Sequence, residues 1–170
     1  MTATAPESRA SVRLEESYTE TSEVVMPTAG RGAPRYGRAG DAREAATNNL
    51  GRALGRWVLH RMDICGAIAA RRFSRGQVVT AAIEGVDVHA PIDLGDIAVV
   101  TGYVYDIGHT SMDVRVDVRA ERPGDGETRE TASSDLTFVA IDADGESRPV
   151  PRLRCRSQRE HDLMARGIDA

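Results

Sequence analysis

The sequence predicts an α+β domain in which one antiparallel sheet wraps around one long central helix. Three observations carry this reading. A single helical pattern, residues 54–72, is apolar almost all round; about four consecutive β-like segments follow it; and one of these, residues 112–121, alternates strictly between apolar and charged side chains. A helix that is apolar on nearly every side must be enclosed by protein over most of its surface, and the strands are the material available to do so.

At 170 residues, 41% apolar and 28% charged, the chain is long enough to bury one sizeable core without disulfides or a metal. Residues 1–21 are polar and aperiodic and read as a flexible tail. A domain is expected over residues 22–152, opening on a short strand at 22–26 (SEVVM) that Pro27 ends. The Gly-, Arg- and Ala-rich stretch 28–46 reads as an inserted surface loop. In the helix, Leu54, Val58, Met62, Cys65 and Ala69 recur at three- and four-residue steps, with Trp57, Ile64 and Ile68 beside them. Residues 77–89 and 97–107 are Val- and Ile-rich strands flanking the turn PIDLGD. In 112–121, Met112, Val114, Val116 and Val118 share one face, and Asp113, Arg115, Asp117 and Arg119 share the other, which is expected to be wet. Residues 133–142 form a last strand before the turn signal Asp144-Gly145, and 153–170 are a C-terminal extension with a short charged helix. One sheet curled round one helix keeps an exposed edge, which pairing with a second copy would remove.

Composition narrows the function. Net charge is −4 and every one of the 22 basic residues is Arg, a balance that argues against a nucleic-acid partner. No apolar run approaches a membrane span and the start of the chain lacks a signal-peptide core, so no membrane partner and a cytoplasmic location are expected. Cys65 and Cys155 match no zinc or redox spacing and read as reduced thiols. His60, His89, His109 and His161 share no ligand spacing, so no metal is expected. No nucleophile elbow, Walker loop or dinucleotide fingerprint occurs, which removes support for serine hydrolase, nucleotide hydrolase and dehydrogenase readings.

Two places retain chemistry. Asp63 lies within the apolar helix, followed by the small residues Gly66, Ala67 and Ala70. A buried carboxylate needs a partner or a use: either Arg56 or Arg61 pairs with it, or it is a catalytic base. Upstream, Asn48 and Asn49 precede Gly51 and Gly55. An asparagine there either caps a turn or holds a ligand, and the helix start offers free backbone N–H groups to an oxyanion.

The phrases TNNLGRALGRWVLHRMDICGAIAA, GQVVTAAIEGVDVHAPIDLGD, GHTSMDVRVDV and LTFVAIDADGESRPVP resemble, in order and spacing, the hot-dog-fold acyl-CoA thioesterases of the YciA type. The resemblance implies hydrolysis of an acyl-CoA thioester without metal or redox cofactor. It implies Asp63 as the catalytic carboxylate, acting as general base or as nucleophile, with Asn48 working beside it and Asn49 as the fallback. Backbone N–H groups at Gly55 and Arg56 would polarise the carbonyl, Arg56 standing where relatives carry a second glycine. Cys65 likewise replaces a glycine often found after the Met-Asp unit. Gly108, His109, Thr110 and Ser111 would contact coenzyme A, or form only a hairpin turn. The resemblance also implies a homodimer joined edge to edge, commonly built into a hexamer as a trimer of dimers. The alternative is a hot-dog module that binds acyl-CoA without turnover.

Overall fold

The structure, a computed structural model, describes residues 9–26, 48, 50–53 and 55–169; the 28–46 insertion, Asn49 and Leu54 lie outside them. The chain runs β1 (Ser11–Arg13), α1 (Leu14–Ser17), β2 (Thr19–Val24), α2 (Gly55–Ser74), β3 (Gln77–Val88), β4 (Ile97–Ile107), β5 (Ser111–Glu121), β6 (Thr128–Ile141), β7 (Arg152–Arg154) and α3 (Gln158–Ile168). Five strands form one antiparallel sheet in the order β2-β4-β5-β6-β3, and β1 pairs in parallel with β7. The expected α+β layout is therefore present. No helix among the described residues is long and apolar enough to cross a membrane.

The alternation of β5 is realised residue by residue. Met112, Val114, Val116 and Val118 are buried against α2 together with Leu136 and Phe138 of β6, their partners or near neighbours in register. The opposite face is less wet than expected. Arg115 is gripped by Asp117 at 3.0 Å and Asp135 at 2.9 Å, and α3 packs over that face, with Arg166 3.8 Å from Asp117. Gly167 sits where a Cβ would overlap the Tyr105 ring.

From α2, Met62, Cys65, Ala69, Ala70 and Phe73 enter the core. Gly66 is the close-approach point: a Cβ there would lie 3.0 Å from the Phe138 ring. The small residues after Asp63 thus serve helix–sheet contact at Gly66, where a ligand was one sequence expectation. Gly66→Ala is expected to cost about 1–3 kcal/mol by overpacking, read as a lower denaturant midpoint. An unchanged midpoint would show that Phe138 can swing away freely.

Two expectations are corrected. Residues 11–21 are not a tail: they form β1, α1 and the start of β2, and Leu14 is fully buried. Their charges hid this, because Arg13 and Glu15 are used to hold the buried Glu160 of α3 through the Arg13 guanidinium and the Glu15 backbone N–H. Nor does one copy enclose α2 on most sides. Leu59, Ala67 and Ile68 are only half-buried and Ile64 is exposed, since the sheet covers a single side of the helix.

Candidate active site

Asp63 lies eight residues after Gly55, about 12 Å along α2, and is half-buried. Its Oδ1 accepts a hydrogen bond from the Thr80 hydroxyl of β3 at 2.8 Å. Neither expected arginine pairs with it. Arg61 turns to Glu23 at 2.8 Å and lies over the Trp57 ring, and Arg56 is exposed. Thr80 is the site residue that sequence reasoning missed. A single threonine in a β-branched strand carries no signal of its own, and only its register beside α2 singles it out.

Cys65 faces the sheet, with its Sγ 3.5 Å from the Val100 carbonyl. Burial pushes its thiol up to about 11, which leaves it protonated and packed as a small apolar residue.

Asn48 does cap its turn: its Oδ1 accepts from the backbone N–H groups of Leu50 at 2.9 Å and Arg52 at 3.1 Å. Those two donors fix which end of the amide is oxygen, so the side chain is left with its NH₂ to offer to anything outside the turn. Capping and ligand binding are therefore compatible. Gly55 and Arg56 open the first turn of α2, whose N–H groups have no acceptor within the helix. A Cβ on Gly55 would meet nothing within 4 Å.

Gly108, His109, Thr110 and Ser111 make a tight β4–β5 hairpin, closed by Gly108 N–H donating to the Ser111 carbonyl at 3.0 Å. The carbonyls of His109 and Thr110 are taken by Val150 and Ala140 N–H groups. Ser111 pairs with Val139 and Thr80 with Phe138, so this hairpin stands level with Thr80, two strands away. The candidate residues thus fall into two groups. Asp63, Thr80 and the hairpin lie toward the start of β3; Asn48, Gly55 and Arg56 lie toward its end, where an apolar cavity joins Gly55 to Val86 and Val88. Among the described residues no hydrogen bond links Asp63 to Asn48.

Known proteins share this architecture. A thioesterase superfamily model matches residues 50–127. The acyl-CoA thioester hydrolase YciA of Salmonella typhimurium is 32% identical over 113 residues, covering 65% of this chain and 85% of that protein. An apo-hexameric acyl-CoA thioesterase superposes with a TM-score of 0.79 at 31% identity, over 94% of this chain and 92% of that one. The acyl-CoA hydrolase of Staphylococcus aureus, solved with butyryl coenzyme A, coenzyme A and coenzyme A disulfide, superposes with a TM-score of 0.76 at 26% identity, over 94% and 88%. That enzyme has also been solved with an asparagine, an aspartate or a threonine replaced by alanine; the aspartate follows the asparagine by 15 residues and the threonine follows the aspartate by 17. Likeness in sequence and in strand order, over most of the length of these relatives, assigns the lineage: the chain belongs to the thioesterase superfamily as a YciA-like, hot-dog-fold acyl-CoA thioester hydrolase.

Proposed function

We propose that acyl-CoA hydrolysis takes place at a site shared by two copies of the chain, Asn48 and the α2 start coming from one and Asp63 from the other. One observation carries the choice of residues. Asn48, Asp63 and Thr80 stand 15 and 17 residues apart, the spacing of the three residues substituted in the S. aureus enzyme, and Thr80 and Asp63 are already hydrogen-bonded here.

The exposed edge strand supplies the second copy. Val79, Ile83, Val86 and Val88 of β3 are 46%, 41%, 39% and 73% exposed, an apolar edge of the kind that soluble proteins cover. Antiparallel pairing of β3 with its own copy about a two-fold axis sets the start of one strand opposite the end of the other. Asp63 and Thr80 of one copy then approach Gly55 and Asn48 of the next, and the uncovered flanks of the two α2 helices meet. Three such dimers making a hexamer fit this reading, as the relatives described as hexameric do.

In the reaction, the Asn48 NH₂ and the N–H groups of Gly55 and Arg56 polarise the thioester carbonyl. Asp63 takes a proton from the attacking water, or itself attacks to give an anhydride that water opens. The carbon–sulfur bond breaks and coenzyme A leaves as its thiolate, a good leaving group that needs no strong acid. Thr80 orients the Asp63 carboxylate. The hydroxyls of Thr110 and Ser111, with Gly108 and the exposed His109, suit a phosphate of coenzyme A.

Mixed dimers test the sharing. Asp63→Ala and Asn48→Ala chains, each nearly inactive alone, should recover roughly a quarter of native thiol release when co-expressed, because half the dimers are mixed and each holds one intact site. Mixed dimers that form and stay inactive would put both residues in one copy's site, or take Asn48 out of the mechanism.

A further inference from the structure

We infer that the cavity at the start of α2 receives the acyl tail of the substrate, and that its size favours tails of about six carbon atoms or fewer. This rests on the thioesterase reading above. The cavity measures about 140 Å³ and is walled by Gly55 and Val58 of α2, Val86 and Val88 of β3, Ile92 of the following loop and Ala132 of β6.

Away from the helix start, the polar groups of the inner walls are engaged. The hydroxyl of Thr131, the one side-chain polar atom among the described lining residues, donates to the Val118 carbonyl at 2.9 Å. The Pro91 carbonyl is held by the Arg129 guanidinium at 3.1 and 3.2 Å. An apolar space of this size accepts an apolar guest of about six carbon atoms.

Gly55 makes the link to the reaction, since it lines the cavity and also opens the helix turn that faces the thioester carbonyl. A tail leaving that carbonyl has the cavity beside it. Its depth is set by Ile92 and Ala132, which are 3% and 4% exposed and packed in the core. The rim is set by Val86 and Val88, on the edge strand that meets the other copy. The back wall is rigid, so a longer tail must leave its far end in water or displace core residues.

The test is the dependence of kcat/KM on chain length, measured as thiol release from straight-chain acyl-CoAs from acetyl to palmitoyl. For the native chain we expect a rise of about fourfold per added carbon, the transfer of one buried methylene, up to about six tail carbons, then a plateau or a fall. Ala132→Leu fills the back of the cavity and should lower the octanoyl-to-propionyl ratio of kcat/KM at least about tenfold. Val86→Phe narrows the half-exposed rim without entering the core and should act in the same direction, which keeps the test decisive should Ala132→Leu fail to fold. A native preference for palmitoyl-CoA, or a Val86→Phe chain that hydrolyses with the native length profile, overturns the assignment of the cavity. No thiol release by the native chain from any acyl-CoA overturns the thioesterase reading itself, and the cavity's role with it.

Discussion

Asp63→Ala is expected to lower kcat/KM for acyl-CoA hydrolysis by about 10²- to 10⁴-fold, the usual cost of removing a general base, with little change in thermal stability. Asp63 is half-buried and its protein partner is the Thr80 hydroxyl, which water can satisfy once the carboxylate is gone. Asp63→Asn keeps an oxygen for Thr80 and loses the ability to accept a proton, so it should fall nearly as far. The pair separates proton transfer from packing. Thr80→Val should give a smaller loss, about tenfold, because it frees the carboxylate to rotate while leaving it able to react. Near-native thiol release by Asp63→Ala, in a chain with a native melting curve, would remove Asp63 from the chemistry.

Loss of the Glu160 carboxylate should have the largest effect on stability. This side chain is 1% exposed and accepts from the backbone N–H groups of Arg156 at 2.7 Å, Ser157 at 2.9 Å and Glu15 at 3.2 Å, and from the Arg13 guanidinium at 3.2 Å. Burial alone would raise its pKa, but these donors together outweigh burial and hold it down at about 2. The folded chain therefore binds this proton less readily than the unfolded chain, in which a glutamate titrates near ~4.3. Its contribution is complete above that range and is lost as pH falls toward 2. Glu160→Ala at neutral pH strands several buried donors at once and should cost about 3–5 kcal/mol. Urea midpoints of the native and Glu160→Gln chains should lie far apart at pH 7 and draw together as the pH is lowered from about 5 toward 2. Parallel midpoints over that range would mean that the carboxylate's charge does not matter.

The sheet and the central helix were legible because their signals repeat. The β5 alternation spans its whole length, and the helical stripe from Val58 to Ala69 returns at every turn. The sequence places the last strand at 133–142, whereas β6 begins at Thr128, because Thr128, Arg129 and Glu130 are polar and there the backbone pairing with β5 decides, past a bulge next to Val118. The segment 11–18 failed as a sequence signal for a related reason. The Arg13 side chain and the Glu15 backbone N–H are partners of Glu160, 147 and 145 positions away, and no local pattern reports that. Of the residues proposed for the site, Asp63 and Asn48 could be named as candidates from their surroundings in the chain. Thr80 could not, because its part depends on which β3 side chain meets α2, a matter of register. The partner of Asp63 was misjudged because helical spacing shows which arginines lie near and not that Arg61 has a better neighbour in Glu23.

The joining of β1 to β7 bears on how the chain is made. Ser11 pairs with Arg152, and Glu15 waits for the carboxylate of Glu160. A ribosome adding about 5–20 residues per second needs roughly 7–29 s between releasing the first partner and the second. During that time β3–β6 and α2 can assemble, and α1 can dock on them through Ser17 and Glu16, which meet Val104 and Arg75, but β1 lacks its strand partner and Arg13 lacks Glu160. β1 is thus among the last of the described elements to be locked. A chain cut short before Arg152 should leave β1 open to proteases, however well its sheet has formed.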